Sequence, residues 1–171
     1  MQKCGSLRKL NLASNKLKEL PDEIGKLGSL NILNVFGNQL KELPPTITKC
    51  DLVEFNCAAN KLTELPRGFG TFKNLAILDI SSNKLTELSA QIGLLLTLRE
   101  LSISFNKITK LPAELGKLVE LRHFTCASNE IIELPVELGG LKALETIDFG
   151  SNRIRVKQKI YKSLFSFHLE E

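Results

Sequence analysis

The chain has 171 residues, with 23 basic and 19 acidic side chains and a net charge of +4. At 43% hydrophobic and 25% charged it is composed as a soluble folded domain, and so mild a charge argues against an obligate nucleic-acid binder. Thirty-two residues are leucine while tryptophan is absent, so the core is expected to repeat one small aliphatic packing unit many times.

The opening, MQKCGSLRKL, lacks the apolar run of a secretory signal. Apolar runs such as Leu94-Leu95-Leu96 fall far short of the roughly 20 residues a membrane helix needs, so no membrane insertion is expected. From Leu7 onward one pattern recurs. Asparagine stands at 15, 38, 60, 83, 106, 129 and 152. An apolar residue precedes each by eight, five and three places, as Leu7, Leu10 and Leu12 precede Asn15. The unit reads L-x-x-L-x-L-x-x-N-x-L-x-x-L-P-x-x-I-G-x-L.

Within each unit the L-x-L core predicts a short strand whose alternate residues face inward, and stacked units predict a parallel sheet. The asparagine is a polar residue in a core-lining place, and its amide is expected to bond turn backbone of its own and adjacent units. Leu-Pro follows the turn at 20–21, 43–44, 65–66, 111–112 and 134–135, with Leu88-Ser89 as the lapse. Proline there predicts the start of a short helix or 3₁₀ turn on the convex side. Gly25, Gly93, Gly116 and Gly139 read as helix-end or turn glycines. Cys4, Cys50, Cys57 and Cys126 all fall on core positions of the repeat, where free thiols fit a reducing, cytoplasmic setting.

Residues 1–6 match the end of a unit, 7–152 hold seven repeats, and 153–171 break the pattern and read as a partly helical C-terminal cap of the single domain 1–171. With nothing ahead of repeat one, its end face at Cys4, Leu7 and Leu12 is expected to be exposed, which favours self-association there. The rim carries a mostly basic row (Lys16, Lys61, Lys84, Lys107, Arg153) beside a mostly acidic one (Glu19, Glu42, Glu64, Glu87, Glu133), expected to neutralise each other.

The repeating unit resembles the leucine-rich repeat signature, and the resemblance implies an α/β solenoid, curved, with a parallel concave sheet and short helices or 3₁₀ turns outside. The unit Leu20-Pro21-Asp22-Glu23-Ile24-Gly25-Lys26-Leu27 resembles the intracellular Ras-group leucine-rich repeat proteins. The resemblance implies a cytoplasmic adaptor whose concave face binds another protein, a small GTPase or a phosphatase subunit in the family.

No phosphate-cradling glycine motif, no C-x-x-C and only two histidines, His123 and His168, are present, so neither enzymatic activity, cofactor nor metal is expected. Strand residues flanking the second leucine are expected to face the concave side. Among them Ile32 and Ile77, with Phe36 two places beyond the strand, are apolar where the scaffold asks for no apolar group. With Asn34, Glu54, Asn56, Asp79, Glu100, Ser102 and His123 they form the expected partner-binding surface. Phe105 is left aside as half-buried in the turn. The expected function is a protein-interaction scaffold in intracellular signalling; the alternative is a regulatory repeat segment of a larger signalling enzyme, a kinase or GTPase.

Overall fold

Each repeat contributes one three-residue strand, and the computed structural model describes residues 5–155 of the chain. The strands are β1 (Lys9–Asn11), β2 (Ile32–Asn34), β3 (Glu54–Asn56), β4 (Ile77–Asp79), β5 (Glu100–Ser102), β6 (His123–Thr125) and β7 (Thr146–Asp148). They pair in parallel and in chain order, forming one open curved sheet. Register follows the repeat: Leu10, Leu33, Phe55, Leu78, Leu101, Phe124 and Ile147 align, all turned inward.

Among the described residues the helical elements of the outer side are all 3₁₀: η1 (Asp22–Lys26), η2 (Pro45–Lys49), η3 (Phe69–Thr71), η4 (Ala90–Leu94), η5 (Ala113–Lys117) and η6 (Val136–Gly140). Pro21, Pro44, Pro112 and Pro135 precede four of them with extended backbone, which the ring's fixed φ supplies. Ser89 replaces proline in repeat four and reaches the same conformation, φ −60° and ψ 141°. Its hydroxyl compensates by accepting the Gln91 N–H.

The glycines of these turns serve a different purpose from the helix-end role expected of them. Gly25, Gly93 and Gly116 do not have positive φ. A Cβ on Gly25 would lie 2.4 Å from the Thr46 carbonyl oxygen, and on Gly116 2.1 Å from that of Glu137. Glycine is there because the next 3₁₀ turn packs directly onto its backbone. Repeat two carries Thr48 at this place, and the following segment is irregular: η3 is shorter and is entered through Gly68 at φ +79°. There the rings of Phe55, Phe69 and Phe72 pack together, with Phe69 and Phe72 edge to face at 5.2 Å between centroids.

Repeat two is also one residue short, a single Asp51 standing between Cys50 and Leu52 where Gly28-Ser29 stand in repeat one. Cys50 is extended there at ψ 147°, as Phe72 is at ψ 122°, whereas Leu27, Leu95 and Leu118 bend to ψ 61–66°. Asp51 pins the shortened link from both sides: its carbonyl accepts the Asn31 amide at 2.8 Å and its carboxylate the Asn74 amide at 2.7 Å.

Between sheet and 3₁₀ turns runs one continuous core of leucine, isoleucine and phenylalanine. Cys50, Cys57 and Cys126 lie inside it as free thiols, and burial pushes the last two well above their ordinary range. Cys4 lies outside the described residues. From repeat two onward, the asparagine of each repeat closes the joint to the one before. Asn83 Nδ2 donates to its own repeat at Ile80 O and to the preceding one at Cys57 O, both at 3.1 Å, while its Oδ1 accepts the Leu62 N–H at 2.9 Å. Asn38, Asn60, Asn106, Asn129 and Asn152 repeat this set.

At the far end Arg153 and Arg155 continue the repeat's backbone ladder, donating to Ile131 O and Ile132 O. The remainder of the expected cap, 156–171, lies outside the described residues. Repeat one has Leu7, Leu10, Leu12 and Leu17 only partly buried, in contrast to their covered equivalents Leu30, Leu33, Val35 and Leu40.

Candidate functional site

Parallel in-register stacking turns each repeat position into a row across the concave face. The first strand residues make the row Lys9, Ile32, Glu54, Ile77, Glu100, His123 and Thr146. The third make Asn11, Asn34, Asn56, Asp79, Ser102, Thr125 and Asp148. Neighbours in a row stand about 4.8 Å apart. Nine of the ten expected residues (Ile32, Asn34, Glu54, Asn56, Ile77, Asp79, Glu100, Ser102 and His123) line one shallow groove of about 490 Å³. Phe36 stands outside it on the rim past β2, its ring 43% exposed.

The second row has a structural duty that the sequence pattern did not disclose. Asn34 Oδ1 accepts the Phe36 N–H at 2.9 Å, Asn56 Oδ1 that of Ala58 at 3.0 Å, and Asp79 Oδ1 that of Ser81 at 3.0 Å. Each side chain thereby holds the chain's exit from its strand, the local turn for which Asn and Asp are suited. All three residues also line the groove.

Glu54 and Glu100 are different. Both are exposed, and no hydrogen bond or ion pair of the described residues uses their carboxylates. At the β6–β7 end the side chains satisfy one another. Arg122 donates to Glu145 Oε1 at 2.8 Å, His123 Nδ1 lies 2.8 Å from Thr146 Oγ1, and His123 Nε2 lies 3.9 Å from Glu145 Oε2. This network stands in solvent, where such pairs contribute at most about 1 kcal/mol.

Phe105 is the residue that sequence reasoning placed wrongly. It is 62% exposed rather than half-buried. It occupies the turn position before the asparagine, where Ser14, Ala59, Ser82, Ser128 and Ser151 also have φ of 53–56° and Gly37 has 67°. Left-handed backbone costs about 1–2 kcal/mol for a residue with a Cβ, and a bulky ring there has no scaffold rationale. The signal was in the row itself: six small residues and one phenylalanine. On the rim, Lys61 contacts Gln39 and Arg153 contacts Glu130 along the basic row. Among the described residues no cluster of three metal-ligating side chains occurs, and no helix is long and apolar enough to cross a membrane.

Residues 1–114 match the family model described as a leucine-rich repeat region. Comparison with curated protein sequences finds no match. Among solved structures the chain is similar to a leucine-rich repeat protein of Leptospira interrogans, with 33% identity and a TM-score of 0.72, covering 94% of this chain and 47% of that one. It is also similar to the ectodomain of the Arabidopsis thaliana membrane receptor kinase GASSHO1/SCHENGEN3 in complex with Casparian strip integrity factor 2. That match has 29% identity and a TM-score of 0.84, covering 92% of this chain and 20% of the ectodomain chain. The plant peptide hormone receptor RGFR1, solved with RGF2, matches at 30% identity and TM-score 0.81, covering 88% of this chain and 25% of that one. The chain therefore spans less than half the length of each of these proteins. Family match, strand register and asparagine joints agree, and the chain belongs to the leucine-rich repeat family.

Proposed function

We propose that this domain is a protein-binding scaffold that holds its partner on the concave face of repeats two to five, as part of intracellular signalling. The observation that carries this reading is the row Ile32, Glu54, Ile77 and Glu100: two apolar and two unpaired acidic side chains where the scaffold requires neither. Exposed apolar groups rimmed by charge are the usual anatomy of a recognition surface. The two plant receptors, solved with Casparian strip integrity factor 2 and RGF2, support a binding role for the repeat architecture. The intracellular part of the reading rests on three buried, unpaired thiols. A regulatory repeat segment of a larger signalling enzyme, a kinase or GTPase, is the second reading, supported by the similarity to the repeat ectodomain of a receptor kinase.

The test is site-specific photo-crosslinking in extract of the source cells, with the crosslinker at Ile77 in the groove or at exposed Val136 on the outer side. Adducts are expected from Ile77 and not from Val136. Phe36→Ala combined with Ile77→Glu should weaken binding of the captured partner by about 2 kcal/mol or more. Adducts from Val136 alone would move the site to the outer face.

A further inference from the structure

The concave row alternates in chemistry from strand to strand, and that alternation carries information about what fits it. Ile32 pairs with Glu54, Glu54 with Ile77, and Ile77 with Glu100, so like side chains recur on every second strand. At about 4.8 Å per strand, the two isoleucines stand about 10 Å apart, and so do the two glutamates.

The charges are uncompensated. Asp79 adds a third carboxylate between and behind the glutamates, one of its oxygens committed to the Ser81 N–H and the other open to the groove. Lys9 lies two strands from Glu54, and Arg99 lies at the entry to β5; neither forms an ion pair with these acids. Arg122 is already held by Glu145, and His123 by Thr146. In a chain of net charge +4, the floor of the groove thus gathers three carboxylates, none of them in an ion pair among the described residues. Such a floor repels phosphate and attracts basic side chains.

We infer that the groove accepts a basic, partly apolar segment of another protein, laid across β2–β5. The segment presents two Lys or Arg side chains about 10 Å apart to Glu54 and Glu100, with an apolar side chain between them on Ile77. Asp79 contributes to the field under the centre of the segment, and the exposed ring of Phe36 forms an apolar wall at its β2 end. This rests on the scaffold reading above and adds the chemistry of the partner.

The experiment selects a random 12-residue peptide display library on the full chain, then measures affinities of the enriched peptides by fluorescence anisotropy. Circular dichroism confirms the fold of every variant. Enriched peptides should carry paired basic residues around an apolar one. Their Kd should rise about tenfold or more in Glu54→Lys/Glu100→Lys, rise less in the isosteric Glu54→Gln/Glu100→Gln, rise with salt, and stay unchanged in Glu114→Lys on the outer side. Enrichment of acidic or uncharged peptides that still lose affinity with Ile77→Ser would overturn the charge assignment and leave the scaffold reading standing. Peptides sensitive only to outer-face substitutions would overturn both. An absence of enriched peptides would overturn the linear segment as occupant.

Discussion

Replacing Asn83 by alanine isolates the joint between two repeats. The side chain makes contacts on both sides, but they are not equally replaceable. Cys57 O keeps a second donor in Asn60 Nδ2 at 3.1 Å, Ile80 O keeps Asn106 Nδ2 at 3.1 Å, and Ser81 O keeps the Ala59 N–H at 3.0 Å. The Leu62 N–H has Asn83 Oδ1 as its acceptor at 2.9 Å, with no other among the described residues, and Leu62 is fully buried. The loss is therefore dominated by one orphaned donor, about 1–3 kcal/mol, and the weakened carbonyl contacts place the expected value near the upper half of that range. Asn15→Ala is the internal control: its amide donates only to Leu12 O and Ala13 O within its own turn, and it is exposed. It should cost less than about 1 kcal/mol. Urea unfolding followed by far-ultraviolet circular dichroism gives both numbers, since the chain has no tryptophan to report. Hydrogen exchange gives a second readout, with the Leu62 amide losing protection in Asn83→Ala before its neighbours do. Equal losses in the two variants, or an unchanged Leu62 amide, would refute the claim that the asparagine secures the repeat behind it.

Gly93→Ala should destabilise by about 1–3 kcal/mol, because its Cβ would lie 2.4 Å from the Glu114 carbonyl oxygen, whereas Gly28→Ala, with open space around it, should be near neutral in the same denaturation assay. Phe105→Asn should stabilise by about 0.5–1 kcal/mol by relieving a bulky residue at φ +56°; a loss of 1 kcal/mol or more would show that the exposed ring packs after all. Cys57 and Cys126 retain their protons in the folded chain above their ordinary pKa of 9.0, while the unfolded chain loses them, so stability should fall as pH rises past about 9, by up to about 1.4 kcal/mol per pH unit for each thiol. Cys57→Val with Cys126→Val should flatten that alkaline slope between pH 9 and 10, and an unchanged slope would contradict their burial as the cause.

The inward rows were legible in the sequence because burial imposes the same side-chain type at the same place in every unit, as Leu33, Phe55 and Leu78 illustrate. What stayed hidden depends on contacts between units. A five-residue outer segment such as Asp22–Lys26 is too short for periodicity to tell 3₁₀ from α. Gly25 looks the same in sequence whether it is needed for φ or for proximity, and only the stacked Thr46 carbonyl decides. At the candidate site, alternation placed Ile32, Glu54, Ile77 and Glu100 on one face, but not the hydrogen bond that commits Asn34 Oδ1 to the Phe36 backbone. Phe105 escaped because a hydrophobic residue beside a core asparagine reads as buried, whereas the left-handed turn throws its side chain outward.

The asparagine joints also bear on how such a chain changes length over evolutionary time. Each of six joints uses the same groups: an amide oxygen taking one N–H from the unit behind, and an amide nitrogen shared between the carbonyls of both units. An in-register duplication or excision of one unit rebuilds the same joint at the new boundary and leaves no backbone group unmatched. Repeat two records how far this tolerance extends, since it lost a residue at Asp51, yet Asn60 still accepts the Leu40 N–H at 3.0 Å and donates to Val35 O at 3.0 Å. Whole units can therefore be added or removed without leaving a group of the joint unpaired, and the side chains on the concave face are free to differ from unit to unit.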